Sequence, residues 1–336
     1  MGRLLNISVL PGTWMAAVRI REEDPVSLMT SPVEAIRTEA GYELLLTVAD
    51  LRIVLWSDQA DLKLVADGAL DTLDDDGDTP DIRILVTWGE PGLFGAQGAG
   101  QGFLDPGAVW QVSDEAGSYR YRFTSPLLGP LPYKIASFNR NFTRGTVFLN
   151  RTARLQWSSF KPLEHPLADL VMLNLLAKGR GVEVRGCGVA DAQGQGHLFI
   201  GETGTEHRTS ARIWQDLPGV SIFSDDRIVL RQLGETIWMY GAAWHDDSRW
   251  LHPGRAPLRH VYFLKHGAAN ALRTVSLTDA LSRLFACTAS LFRSPDALEF
   301  TLAFVDEVVQ RVPAYELTSL PDSQLLRLIP KGDHAA

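Results

Sequence analysis

The sequence predicts an α/β (α+β) protein in two parts: a β-rich N-terminal domain of unassigned role over residues 1–155, and a mixed-sheet domain over residues 156–336. Three observations carry this. Up to about residue 150, apolar residues recur at period two in short runs broken by turn residues, the mark of half-buried strands. From His165 the pattern changes to helix followed by strand. Within that second part an apolar run, His197-Leu198-Phe199-Ile200, meets Gly201 and Gly204 and then a helical pattern from Ser210. With 336 residues, 45% of them hydrophobic, the chain can bury a sizeable core, and its length fits two domains.

In the first part, Tyr42–Val48 and Leu51–Trp56 read as strands joined by Ala49-Asp50. Ile82–Trp88 and Tyr119–Phe123 alternate in the same way, and alternation returns between Ala136 and Leu149. Asp74-Asp75-Asp76-Gly77-Asp78 lacks the spaced ligands and terminal glutamate of a calcium loop, so it reads as an exposed acidic turn. Gly95–Gly102 reads as a low-complexity loop, because no helix pattern follows its glycines.

In the second part, Pro166 at a first-turn position, an apolar face from Leu167 to Leu176, and terminators at Gly179 and Gly181 predict a helix. Strands follow at Val182–Val184 and Cys187–Ala190, then the glycine-bearing turn and its helix, then Val220–Phe223 ending in Ser224-Asp225-Asp226-Arg227. Strand Trp238–Tyr240 leads into Gly241-Ala242-Ala243-Trp244-His245-Asp246-Asp247. Helices are expected at 278–291 and 297–312, the second with Leu298, Leu302, Val305, Val308, Val309 and Val312 as its core stripe. A hairpin of Tyr315–Leu317 with Leu325–Ile329 closes the domain, and the last residues are expected to be disordered.

Composition excludes several classes. A net charge of −8 speaks against a general nucleic-acid binder, which needs a clustered basic face. No run of 18 uncharged apolar residues occurs and the N-terminus lacks the order of a signal peptide, so a cytoplasmic protein with no membrane partner is expected. Asn6, Asn141 and Asn150 are then irrelevant as glycosylation acceptors, and Cys187 and Cys287 are expected to be reduced, small apolar residues.

The chemistry concentrates at residues 197–214. A phosphate-binding loop uses glycines to present backbone N–H groups, a lysine to neutralise the outer phosphates and a hydroxyl to hold Mg²⁺. Here Gly201, Thr203 and Gly204 keep the turn, whereas Glu206, His207 and Arg208 stand where glycine, lysine and serine are needed, with Thr209 just behind them. A strand-to-helix turn without a ligand fits this segment equally well. The carboxylates at Asp225 and Asp226, about twenty residues on at a strand end, stand where such enzymes place magnesium-binding and proton-accepting acids. Trp244, His245 and Asp246 form a second polar cluster at a strand end.

Three segments, Gly201–Thr209, Phe223–Arg227 and Tyr240–His245, resemble in order and spacing the HPr kinase-related family of bacterial P-loop serine kinases, whose core is also similar to phosphoenolpyruvate carboxykinase. Tyr240-Gly241-Ala242-Ala243-Trp244-His245 looks like that family's Y-G-T-P-W-H. The resemblance covers His165–Ile329 and leaves the N-terminal part without an implied activity. It implies ATP-dependent phosphorylation of a serine hydroxyl on a protein, peptide or small molecule, with Asp225 and Asp226 holding Mg²⁺ and taking the serine proton. It also implies a phosphate site at Gly201, Thr203, Gly204, His207, Arg208 and Thr209, a substrate or partner surface at Arg185, Arg227, Trp244, His245 and Asp246, and a possible homo-oligomer. The chain departs from the family at Glu206, His207 and Arg208, at Arg185 where a histidine is usual, and at Asp246-Asp247 where Gly-Glu is usual.

Losing one electrostatic donor costs about 3 to 4 kcal/mol of barrier, and two or three are lost together. No lysine lies between Lys178 and Lys265 to replace the missing one. A pseudokinase that binds a protein or peptide partner, with no cofactor, is therefore expected. The alternative is an altered kinase using ATP and Mg²⁺, in which Arg208, Arg212 and Arg227 supply the positive charge. A metal-assisted hydrolase built on His207, His245, Asp225 and Asp226 has suitable ligand types, but its spacing fits no metal motif.

Overall fold

The computed structural model describes residues 33–38, 41–66, 79–94, 109–115, 117–151, 161–201, 211–215, 217–242, 252, 254–267, 269–289, 294–319 and 329. Residues 1–30 are one unit, outside those described, and residues 31–336 are another. The second unit holds two mixed sheets with few helices.

The first sheet runs β2 (Ile36–Thr38), β3 (Gly41–Val48), β4 (Leu51–Ser57), β6 (Ile82–Gly89), β10 (Arg144–Asn150), β9 (Gly129–Asn139), β8 (Ser118–Ser125) and β7 (Trp110–Glu115), with β1 (Val33–Glu34) and β5 (Val65–Ala66) paired separately. The β4–β6 and β6–β10 pairings are parallel and the rest are antiparallel. Alternate residues Leu44, Leu46 and Val48, and Ile82, Ile84 and Val86, are buried, as the period-two pattern requires. The β3–β4 hairpin turns on Ala49 and Asp50, both left-handed at φ 49° and 57°. Two left-handed residues suit the twist of a two-residue hairpin.

The second sheet is built around β17 (Arg255–His266), a 12-residue strand that the sequence reading does not single out. Its first residues pair antiparallel with β16 (Thr236–Gly241), beside β15 (Arg227–Leu233), β11 (Val182–Arg185) and β19 (Thr288–Ala289). Past Pro257 it pairs parallel with β13 (Gly196–Ile200) and β20 (Ala314–Ser319). Beyond these lie β12 (Cys187–Ala190) and β14 (Ser221–Ser224) on one side, and β18 (Ala271–Thr274) on the other. The two halves of the sheet fold towards each other, so β12 packs on β15 and β16. A Cβ on Gly188 would lie 2.4 Å from Ile228 Cδ1 and 3.1 Å from Met239 Sδ. A larger residue there would have to push the Ile228 and Met239 side chains aside.

Helix α1 (Leu167–Leu176) starts and stops where Pro166 and Gly179 predict, and eight of its ten residues are buried. A helix apolar on every side has to be covered on every side. Its leucines share one cluster with Leu46 and Leu55 of the first sheet and with Val229, Tyr240 and Ala242 of the second. Helices α2 (Leu277–Ala286) and α3 (Pro295–Arg311) cover a second core, which holds Val184, Leu198, Ile228, Met239 and Phe263. Their starts are capped by Ser276, whose Oγ accepts from Asp279 N, and by Ser294, whose Oγ accepts from Ala297 N.

Two expectations change. The helix expected to reach residue 291 ends at Ala286, because Thr288 and Ala289 pair with β11 instead. Leu302, expected in the core stripe, is 42% exposed, while Val305, Val308, Val309 and Val312 are buried. Tyr315–Leu317 is a strand, placed between β17 and β18; its expected partner at 325–328 lies outside the described residues, as do Asp74–Asp78 and Gly95–Gly102. No helix among the described residues is long and apolar enough to cross a membrane.

The β3–β4 turn is fastened to the second sheet. Asp50 accepts a hydrogen bond from Tyr240 Oη at 2.7 Å and an ion pair from Arg255, the two residues facing each other across β16 and β17. Burial and the neighbouring Asp50 push the Tyr240 hydroxyl up to about 12. Arg231 Nη1 donates to Ala49 O at 2.6 Å. Hydrogen bonds to a charged group contribute about 1.5–3 kcal/mol, so Tyr240→Phe and Asp50→Asn should each lower unfolding free energy by about 1–2 kcal/mol. The double variant should lose clearly less than the sum, as urea denaturation will read.

Candidate functional site

Strand direction gathers the candidate residues. Both β13 and β14 run antiparallel to β12, so both end at the sheet edge where β12 begins. Gly201 follows β13 at that edge, and Asp225-Asp226 follows β14. With strands spaced about 4.8 Å and β12 between them, the two strand ends lie roughly 10 Å apart. After Gly201 the described chain resumes in a helical turn at 211–214, with Ala211 and Trp214 buried. The described residues thus give a central strand before the segment and a helical turn after it. Thr203, Gly204, Glu206, His207, Arg208 and Thr209 lie outside the described residues.

The second and third segments meet directly. The chain leaves β16 at Gly241-Ala242 and is described again at His252, whose N–H donates to Phe223 O at 3.1 Å. A Cβ on Gly241 would stand 2.5 Å from His252 O and 3.0 Å from Phe223 O, so only glycine fits where Phe223, Gly241 and His252 touch. Trp244, His245, Asp246 and Asp247 lie outside the described residues.

Asp225 and Asp226 form the two-residue link between β14 and β15, which belong to different halves of the folded sheet. Ser224 Oγ accepts from both Asp226 N and Arg227 N at 3.2 Å, and Gly186 N donates to Asp226 O at 2.8 Å. These bonds satisfy the backbone of a crease too tight for ladder bonds. Asp225 is only 2% exposed and lies close enough to Cys187 that its charge adds to burial in pushing the thiol well above its ordinary range. Cys187 is thus an inert apolar residue.

Asp226 sits in an ion-pair network. Arg185 and Arg227 face each other across β11 and β15, and two cations opposite one another repel. The Asp226 carboxylate intervenes, 3.6 Å from Arg185 Nε and accepting from Arg227 Nε at 3.4 Å. Arg227 Nη1 also donates to Glu183 Oε1 at 2.7 Å, and the Glu183 side chain is 1% exposed. Burial works against the Arg227 charge, but Glu183, Asp226 and Asp169 outweigh it and hold the guanidinium above its usual value. Glu183 is the participant that sequence reasoning passes over. Its one local signal is an acid between two valines in a buried strand.

Of the expected site residues, the structure brings together Arg185, Asp225, Asp226 and Arg227, with Gly201 on the same edge. Among the described residues no three His, Cys, Asp or Glu side chains group as metal ligands.

No protein-family model matches the chain, and no curated protein matches it. Among solved structures, the HPr(Ser) kinase/phosphatase from Coxiella burnetii matches with 10% identity over 43% of this chain and 88% of that chain, at a TM-score of 0.23. A superposition that loose carries no argument about activity.

The network makes its own forecast. Arg227→Met takes a guanidinium away from the buried Glu183 carboxylate and should cost about 3–5 kcal/mol, whereas Glu183→Gln combined with Arg227→Met should recover most of that loss. Urea unfolding of the three variants against the parent chain reads both numbers.

Proposed function

We propose that this chain is a catalytically silent relative of P-loop serine kinases that binds a protein or peptide partner and transfers no phosphoryl group. The observation that supports it best is the clasp on Asp226. In the family that the chain resembles, the acidic pair must be open to Mg²⁺ and a substrate hydroxyl. Here two guanidiniums already occupy one of the two carboxylates. A divalent cation about 5 Å from a guanidinium is repelled by several kcal/mol at an effective dielectric near 20, less at half-exposed Arg185 where solvent screens the charge. Glu206 adds its own repulsion of the phosphates, and neither lysine nor a placed hydroxyl compensates.

The partner surface is the edge carrying Arg185, Arg227 and the segment with Trp244, His245 and Asp246. The setting is cytoplasmic, and the chain acts without a cofactor, as a monomer or a homo-oligomer.

A second reading keeps support from one observation: Gly201 and Asp225-Asp226 share a sheet edge, the placement an ATP–Mg²⁺ site requires. In that altered kinase, Arg208, Arg212 and Arg227 would grip phosphate, and the acidic pair would hold the ion.

Calorimetric titration with ATP and Mg²⁺ separates the two. The natural chain should show no binding tighter than about 1 mM. Replacing Glu206, His207 and Arg208 by Gly, Lys and Ser should restore binding if the loop alone is at fault. Micromolar binding by the natural chain, abolished in a folded Asp225→Ala variant, would overturn the proposal in favour of the altered kinase.

A further inference from the structure

One cluster lies outside the site just described, on the opposite face of β13 from Leu198 and Ile200. His197 on β13 faces His260 on β17 in register, with ring centroids 5.6 Å apart and planes 15° from parallel. The indole of Trp214 also stacks with His197, at 5.5 Å and 24°. Trp214 belongs to the helical turn at 211–214, so this stack joins the strand entering the glycine-bearing segment to the turn leaving it. Tyr262 lies 5.9 Å from His260, and Tyr315 of β20 lies 5.8 Å from both.

The proton positions follow from the contacts. His197 Nε2 is 3.1 Å from Asp191 Oδ2, so in the neutral ring Nε2 donates and Nδ1 keeps a lone pair. His197 is 2% exposed, and its Nδ1, like His260 Nδ1, is buried with no hydrogen-bond partner among the described residues. A proton arriving at His197 Nδ1 would create a buried N–H that no acceptor meets, beside a second imidazole. Among the described residues, the charged and titratable groups facing the pair are Asp191 from the β12–β13 turn, Arg259 and Tyr262 from β17, and Tyr315 from β20. Of these Asp191 alone favours a positive charge.

We propose that the His197–His260 stack is a proton-sensitive pin that holds the 211–214 turn on the sheet while both imidazoles are neutral and loosens it when either is protonated. This goes beyond the partner-binding reading and does not depend on it. Burial lowers the His197 pKa, and burial, His197 and Arg259 lower that of His260 to about 4. Both lie below the ordinary value near 6.5, so the opened state binds more protons than the closed one. The pin is at full strength above about pH 6.5 and weakens as pH falls from there towards 4.

Hydrogen–deuterium exchange of the full chain tests it, with intrinsic rates corrected and β3 and β4 as the internal reference. One imidazole with these values should speed uptake in residues 211–215 by about tenfold to thirtyfold between pH 7.5 and about pH 5, with β3 and β4 unchanged. His260→Gln should remove most of that acceleration. Asp191→Asn, which takes away the one favourable counter-charge and so lowers the closed-state values further, should leave the onset near pH 6.5 and carry the acceleration on to lower pH than in the parent chain, and serves if the first variant does not fold. Uptake at 211–215 that does not change with pH, or that accelerates alike in the parent chain and in whichever variant is folded, would overturn the proposal.

Discussion

The second sheet depends on one tight crease. Only Asp225 and Asp226 separate β14 from β15, yet these strands lie in halves of the sheet that face each other. The chain can turn so sharply because Ser224 Oγ takes two backbone N–H groups and Gly186 N takes the carbonyl of Asp226. The turn forces two carboxylates into a place with little water, where an unpaired charge is costly. Arg227 and Arg185 supply the balance for Asp226, and Glu183 in turn balances Arg227. The network is therefore a condition of the fold before it is anything else.

That condition bears on chemistry. Phosphoryl transfer is almost entirely positioning and charge stabilisation, so its acids must be held in place but left open to ion and substrate. At this crease one acid is buried and the other is shared between two cations. The same edge is where Phe223, Gly241 and His252 touch, so it remains a junction of three segments, well suited to presenting a surface. The β3–β4 turn secures the far side of that junction through Tyr240 and Arg255, which ties the first sheet to the strand pair that supports it.

Much of this was legible in the residues. Period-two alternation located β3, β4, β6 and β8, and Pro166 with Gly179 bounded α1, because each signal is local. The acidic pair at the end of β14 was legible for the same reason. What escaped were features made by distance. β17 is long, with its apolar residues divided between two partner sets, so no single alternation describes it. The stop of α2 at Ala286 is set by pairing with β11, more than a hundred residues earlier, which no helix signal reports. Glu183 and Arg227 are 44 positions apart, and only the β11–β15 register brings them together. His197 reads as one polar residue opening an apolar strand, and its stacking with His260 and Trp214 depends on β17 lying beside it.

The central claim is that the clasp on Asp226 leaves no place for a divalent ion at the crease. Water-proton relaxation during titration of the full chain with Mn²⁺ tests it without nucleotide, and so without any contribution from the altered loop. The account expects no saturable binding below about 1 mM, and a gain of affinity in Arg185→Ala, where one competing charge is removed. A saturable site of micromolar affinity in the natural chain, lost in a folded Asp226→Asn variant, would contradict it.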